Sequence, residues 1–147
     1  MESPMTSPRE ECWDLPADLS AVSKVREMVG SALTDWGADT ELIDDAVLIF
    51  GELCGNAFRH GTSPVTVKLR FSGQKIYGEV TDGGSTFVPR QRTVTAQDEG
   101  GRGLMIVEAL ADQWDVQACG GAGKTVWFFC SSPNLRAATN APTRAWP

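Results

Sequence analysis

Residues 52–84, ELCGNAFRHGTSPVTVKLRFSGQKIYGEVTDGG, decide the fold, because within them the apolar period changes from that of a helix to that of a strand. Just upstream, Leu42, Ile43, Ala46, Val47, Phe50, Leu53 and Ala57 share one side of a helix that starts near Asp39 or Thr40 and ends at Gly61. Glu52, Asn56 and His60 stand at i, i+4 and i+8 and stack along a different side of it. From Val65 the period is two. Val65, Val67, Leu69 and Phe71 alternate with Thr66, Lys68 and Arg70, and Ser72-Gly73 turns the chain into a second strand, Ile76 to Thr81. The result is a hairpin with one buried face.

Toward the N-terminus, Asp18 is placed to cap a helix carrying Leu19, Val22, Val25, Val29, Ala32 and Leu33, which should stop at Gly37. Trp13 to Pro16 can add an edge strand before it. Toward the C-terminus, residues 83–100 have little periodicity and form a long connection, of the kind that is either a functional lid or disordered. Gly101-Arg102-Gly103 then opens a helix with Leu104, Ile106, Val107 and Leu110 inward, followed by strands Gln113 to Ala118 and Thr125 to Cys130. This order predicts an α+β fold: a two-layer α/β sandwich with a mostly antiparallel, mixed sheet covered on one face by helices. Residues 1–11 and 131–147 are polar and Pro-containing and are expected to be flexible tails around a single domain, 12–130.

At 147 residues the chain suffices for one core. Its net charge of -6, with no run of Lys or Arg, argues against direct nucleic-acid binding, which depends on neutralising phosphates. Cys12, Cys54, Cys119 and Cys130 form no CxxC pair, so reduced thiols are expected rather than a zinc or redox motif. The first residues lack the apolar core of a signal peptide, and no stretch approaches the roughly 20 apolar residues that span a bilayer. A cytoplasmic protein with no membrane partner is expected.

Three groups carry chemistry. An amide one helical turn from a carboxylate, Asn56 after Glu52, can hold a magnesium ion through its oxygen and leave the carboxylate to deprotonate a nucleophile; a solvated helix face would present the same pair. Gly55 beside them hints at close approach, by a ligand or by another helix. Asp82-Gly83-Gly84 places a carboxylate at a strand end, able to accept from an exocyclic amine beside a flat ring, or simply to form an Asp-Gly turn. Gly100-Gly101-Arg102-Gly103-Leu104 brings glycines to a helix start, where backbone N–H groups and the helix dipole suit a phosphate. Gly120 to Thr125 imitates the end of a P-loop, but that motif needs a glycine at 118, which is Ala118, and a helix where residues 125–130 read as a strand. His60 has no second histidine to join it and suits a helix-end role.

In order and type these groups resemble the GHKL (Bergerat-fold) ATPase and kinase superfamily, most closely its small anti-sigma serine/threonine kinases. ELCGNAFRHG at 52–61 is similar to the family's N box, DGG at 82–84 to its first glycine box and GGRGLMIVEALAD at 100–112 to its second; LPADLSAVSKVREMV and GKTVWFF are also similar to that branch. The resemblance implies ATP and Mg2+ as cofactors, with Asn56 on the metal, Glu52 as general base and Asp82 on the adenine amine. It further implies that Gly84 shapes the pocket, that Arg59 lies in the nucleotide site, that Gly101, Arg102, Gly103 and Leu104 form a phosphate-contacting hinge, and that Thr125 supports the adenine through water. The implied partners are a sigma factor and an anti-anti-sigma (STAS-type) protein, with a homodimer possible. Glu99 departs from the pattern, since characterised kinases tend to carry a basic residue there. That departure bears on phosphotransfer rather than binding, and a catalytically weak ATP-binding sensor or partner-binding module is the alternative.

Overall fold

The computed structural model describes residues 8–16, 18, 20–60, 64–83, 99–118 and 123–135, with the side chains of 60 and 99–103 outside the description. Five strands, β1 (Arg9–Leu15), β2 (Val65–Ser72), β3 (Lys75–Thr81), β4 (Gln113–Ala118) and β5 (Lys124–Ser131), form one sheet in the order β1-β2-β3-β5-β4. Helices α1 (Ala21–Asp35), α2 (Thr40–His60) and α3 (Glu99–Leu110) accompany it. The two-layer sandwich is as expected, and every strand pairing is antiparallel, so the sheet is not mixed.

Period-two patterning does what it should in β2, β3 and β5. Val65, Val67, Leu69, Ile76, Val80, Val126 and Phe128 are buried beneath the helices, and the residues between them point to the open face. On α2 the buried stripe is Leu42, Ala46, Ile49, Phe50, Leu53, Cys54 and Ala57, and on α3 Leu104 and Val107. Gly78 is the one break in the buried row of β3. A Cβ there would stand 2.5 Å from a Phe128 ring carbon and 2.6 Å from Phe50, so the glycine makes room for their edge-to-face pair, centroids 5.1 Å apart.

Local signals shift by a residue or two. α1 starts at Ala21, with Ser20 at the N-cap position and no side-chain cap; Asp18 instead accepts from Ser20 N at 3.0 Å, an Asx turn ahead of the helix. α1 ends as expected, with Gly37 at φ +86 and Ala38 N bonded to Leu33 O. The hairpin turn is Gly73-Gln74 rather than Ser72-Gly73, both central residues having φ +61. Gln74 tolerates that conformation because its amide is tied down, donating to Gly37 O at 3.0 Å and accepting from Asp39 N at 2.8 Å. The hairpin tip is thereby fastened to the start of α2, where Asp39 also accepts from Ser132 Oγ at 2.6 Å.

The expected edges need correction. β1 reaches back to Arg9, into the stretch 1–11 that reads as a tail, and it pairs with β2 from Arg9↔Phe71 to Leu15↔Val65. Beyond 130, Ser131 and Ser132 are buried and hydrogen-bonded rather than part of a loose end. The 83–100 connection lies, from 84 to 98, outside the described residues.

Candidate functional site

Antiparallel pairing of β3 with β5 continues one step past Thr81↔Thr125, with Asp82 N donating to Lys124 O at 3.0 Å. Strand alternation then sends Thr81 and Thr125 to the open face and Asp82 and Lys124 to the helix-covered one. There the Asp82 side chain is 1% exposed and that of Lys124 7%, with Nζ 2.5 Å from Oδ2. A buried carboxylate is expensive unless paired and hydrogen-bonded, and Lys124 meets that need. Thr81 and Thr125 share a hydroxyl hydrogen bond of 2.7 Å on the other side. Thr125, expected beside the adenine, therefore lies on the opposite face from Asp82, and the β5 residue beside that carboxylate is Lys124.

On α2, Glu52 and Asn56 are half-buried and one turn apart, and Arg59 is exposed. Arg59 Nη2 donates to Asn56 Oδ1 at 3.1 Å, so the helix brings those two together. Glu52 has no partner among the described residues. Gly55 is buried, and among the described residues a Cβ there would meet the Arg59 guanidinium, no nearer than 3.7 Å, an ordinary contact that does not demand glycine. Cys54, between the two polar residues, faces the core, and desolvation pushes its thiol up to about 12. Cys12, Cys54 and Cys130 are free thiols.

The glycine turn lies inside α3. Unbonded N–H groups of a helix belong to its first four residues, here Glu99 to Arg102. They are the donors that could meet an anion, and Gly103 and Leu104 follow them. Leu104 is 7% exposed and packs into the core, anchoring α3 there. Glu99 gives that helix end a residue of the sign the dipole favours. The side chains of His60 and Arg102, and all of Gly84, fall outside the described residues.

No group of three or more His, Cys, Asp and Glu side chains gathers to hold a metal among the described residues. Magnesium fits such a site only as an ion carried largely by phosphates and water with one protein oxygen, and Asn56 Oδ1 can be that oxygen with its second lone pair. The P-loop imitation is settled by β5: Lys124 opens a strand, as the sequence reading required. Lys124 itself escaped that reading. Its signal was parity, since it alternates in step with Val126, Phe128 and Cys130, the inward residues of β5.

An antiparallel sheet covered on one face by α2 and α3, with a buried carboxylate at the end of β3 and a polar ridge on α2, defines a GHKL-type ATP-binding fold. A family described as "Histidine kinase-like ATPase domain" matches residues 15–129, and this chain belongs to that family. Among solved structures, the RsbU and RsbW domains of Rv1364c from Mycobacterium tuberculosis are similar, with 24% identity and a TM-score of 0.63 over 86% of this chain and 32% of that one. At that identity the likeness is one of fold, and this chain spans about a third of that protein's length. Comparison with curated proteins gives no match. No helix among the described residues is long and apolar enough to cross a membrane.

Proposed function

We propose that this chain binds ATP with Mg2+ and phosphorylates a serine or threonine of an anti-anti-sigma (STAS-type) protein, and that in its other state it holds a sigma factor inactive. The observation that carries this reading is the buried Asp82 carboxylate, turned to the layer in which α2 presents Glu52, Asn56 and Arg59. Asp82 accepts from the adenine amine and fixes the base. Asn56 and Arg59 lie along the phosphates, where Arg59 offsets negative charge and Asn56 offers an oxygen to the ion. Bound magnesium supplies charge neutralisation between the phosphates. Glu52, one turn back, takes the proton of the attacking hydroxyl as the hydroxyl oxygen bonds to the terminal phosphorus and the bond from that phosphorus to its bridging oxygen breaks, with ADP as the leaving group. The first turn of α3, with Gly101 and Arg102, holds the phosphate end through backbone donors.

The test is phosphotransfer. With radiolabelled ATP and a STAS-type antagonist, the wild type should label the antagonist, and Glu52→Gln should abolish labelling while nucleotide still binds. Equal labelling by Glu52→Gln removes Glu52 from the role of base. A second reading, an ATP-binding sensor or partner-binding module that does not transfer phosphate, is favoured by the acidic residue type at position 99, in the same helix turn as the backbone donors for phosphate. ATP binding without labelling of any antagonist is the result that selects it. Size-exclusion chromatography with light scattering would show whether the chain forms a homodimer, and pull-down of purified sigma factors tests that partner.

A further inference from the structure

No motif gives Lys124 a role, yet it is buried against the residue that matters most. An ammonium has three N–H donors, and among the described residues Lys124 has one acceptor, Asp82 Oδ2. Donors left over in a side chain 7% exposed are costly, and so is separating the pair. A ligand arriving at Asp82 is therefore better accommodated by an added acceptor beside the intact pair than by expulsion of Lys124. The backbone favours the same outcome, because the bond from Asp82 N to Lys124 O keeps the two residues opposed across β3 and β5. On its far side Lys124 faces Ala118 of β4, whose single methyl takes up little space.

Adenine offers a donor beside an acceptor along one edge: the exocyclic amine and the adjacent ring nitrogen N1. The carboxylate answers only the first. We propose that Lys124 is a second base-reading residue, which donates from Nζ to N1 while Asp82 accepts from the amine and the two stay paired. This rests on the reading of Asp82 as the adenine carboxylate. It narrows the ligand class to 6-aminopurine nucleotides with a free N1. In the same placement a 6-oxopurine sets its oxygen against the Asp82 carboxylate and its N1–H against the ammonium, so both contacts fail at once.

Calorimetric titration of the full chain with ATP, 1-deaza-ATP and 7-deaza-ATP tests the proposal without any mutation. The first analogue keeps the amine and replaces N1 by C–H; the second is altered away from that edge. Wild type should bind 1-deaza-ATP roughly 10- to 100-fold more weakly than ATP, the range of a hydrogen bond to a charged group, and 7-deaza-ATP like ATP. In Lys124→Met the ATP preference over 1-deaza-ATP should shrink to within about twofold. If Lys124→Met does not fold, the wild-type comparison decides alone. Equal binding of ATP and 1-deaza-ATP by the wild type overturns the role of Lys124 and leaves Asp82 in place. Unchanged ATP affinity in Asp82→Asn, or no ATP binding by the wild type, overturns the underlying site together with the inference.

Discussion

Gly78→Ala and Gly51→Ala are the same chemical change at two buried glycines, and the structure gives them opposite signs. A Cβ on Gly78 would stand 2.5 and 2.6 Å from Phe128 ring carbons and 2.6 Å from Phe50, whereas one on Gly51 would stand 2.5 Å from Arg26 Nε. The distances match but the neighbours do not. Phe50 and Phe128 are 0% exposed and locked edge to face, so relieving the contact means moving two rings by about 1 Å in a close-packed interior. Overpacking of that kind costs about 1–3 kcal/mol, against a gain of about 0.5–1 kcal/mol for replacing a mid-strand glycine. The net expectation for Gly78→Ala is a loss of about 1–2 kcal/mol, or roughly 3–10 °C in Tm for a domain of this size. Arg26 is exposed and can swing aside, so Gly51→Ala, in the interior of α2, should gain up to about 1 kcal/mol. Scanning calorimetry and urea unfolding measure both. Phe128→Leu adds an internal control, since trimming one of the two rings should reduce the penalty of Gly78→Ala in the double variant, with the Phe50 contact remaining. A Gly78→Ala protein that melts at or above the wild type, or a penalty undiminished by Phe128→Leu, would refute the argument from ring packing.

Lys124→Met leaves the Asp82 carboxylate buried without its cation and should cost about 3–5 kcal/mol in urea unfolding, most of it recovered when Asp82→Leu is added; additive losses would show that the pair is not the source. Alkylation near pH 8 followed by peptide mapping should mark exposed Cys12 quickly and leave Cys54 unmarked until denaturant is added, because burial holds the Cys54 thiol up at about 12. Tyr77 is the only tyrosine, so ultraviolet absorbance of phenolate reports on it alone. Desolvation, then the 2.6 Å hydrogen bond to Glu79 and its charge, outweigh the opposing pull of Arg70 and raise its pKa in the folded state above the ordinary 10.0. The stability this shift contributes is complete below pH 10 and disappears as pH rises through the folded value. Phenolate absorbance should therefore rise at higher pH in the native protein than in urea, and coincident titrations would contradict the shift.

Much of this fold is legible because its elements carry their own periods. α2, the β2–β3 hairpin and the inward rows of α3 and β5 follow from spacing, since each buries one side against the others. β1 is different. Arg9 to Cys12 are all exposed, so no alternation announces a strand there. It is held by backbone pairing to β2, with Glu10 spanning Arg70 at 3.5 Å and Lys68 at 3.8 Å, contacts worth little individually at such exposure. A strand stabilised by its partner's edge leaves its mark in the partner's sequence, not its own. The site divides in the same way. Asp82 at a strand end and the polar ridge of α2 are properties of single elements and are visible in them. The pairing of Asp82 with Lys124, 42 residues later, depends on the register of β3 against β5, as does the turning of Thr125 to the opposite face. A motif comparison carries a threonine over by residue type, whereas a sheet admits a residue to the site by parity. In this chain parity selects the lysine, and an ammonium that must stay paired while a base arrives constrains which base can arrive.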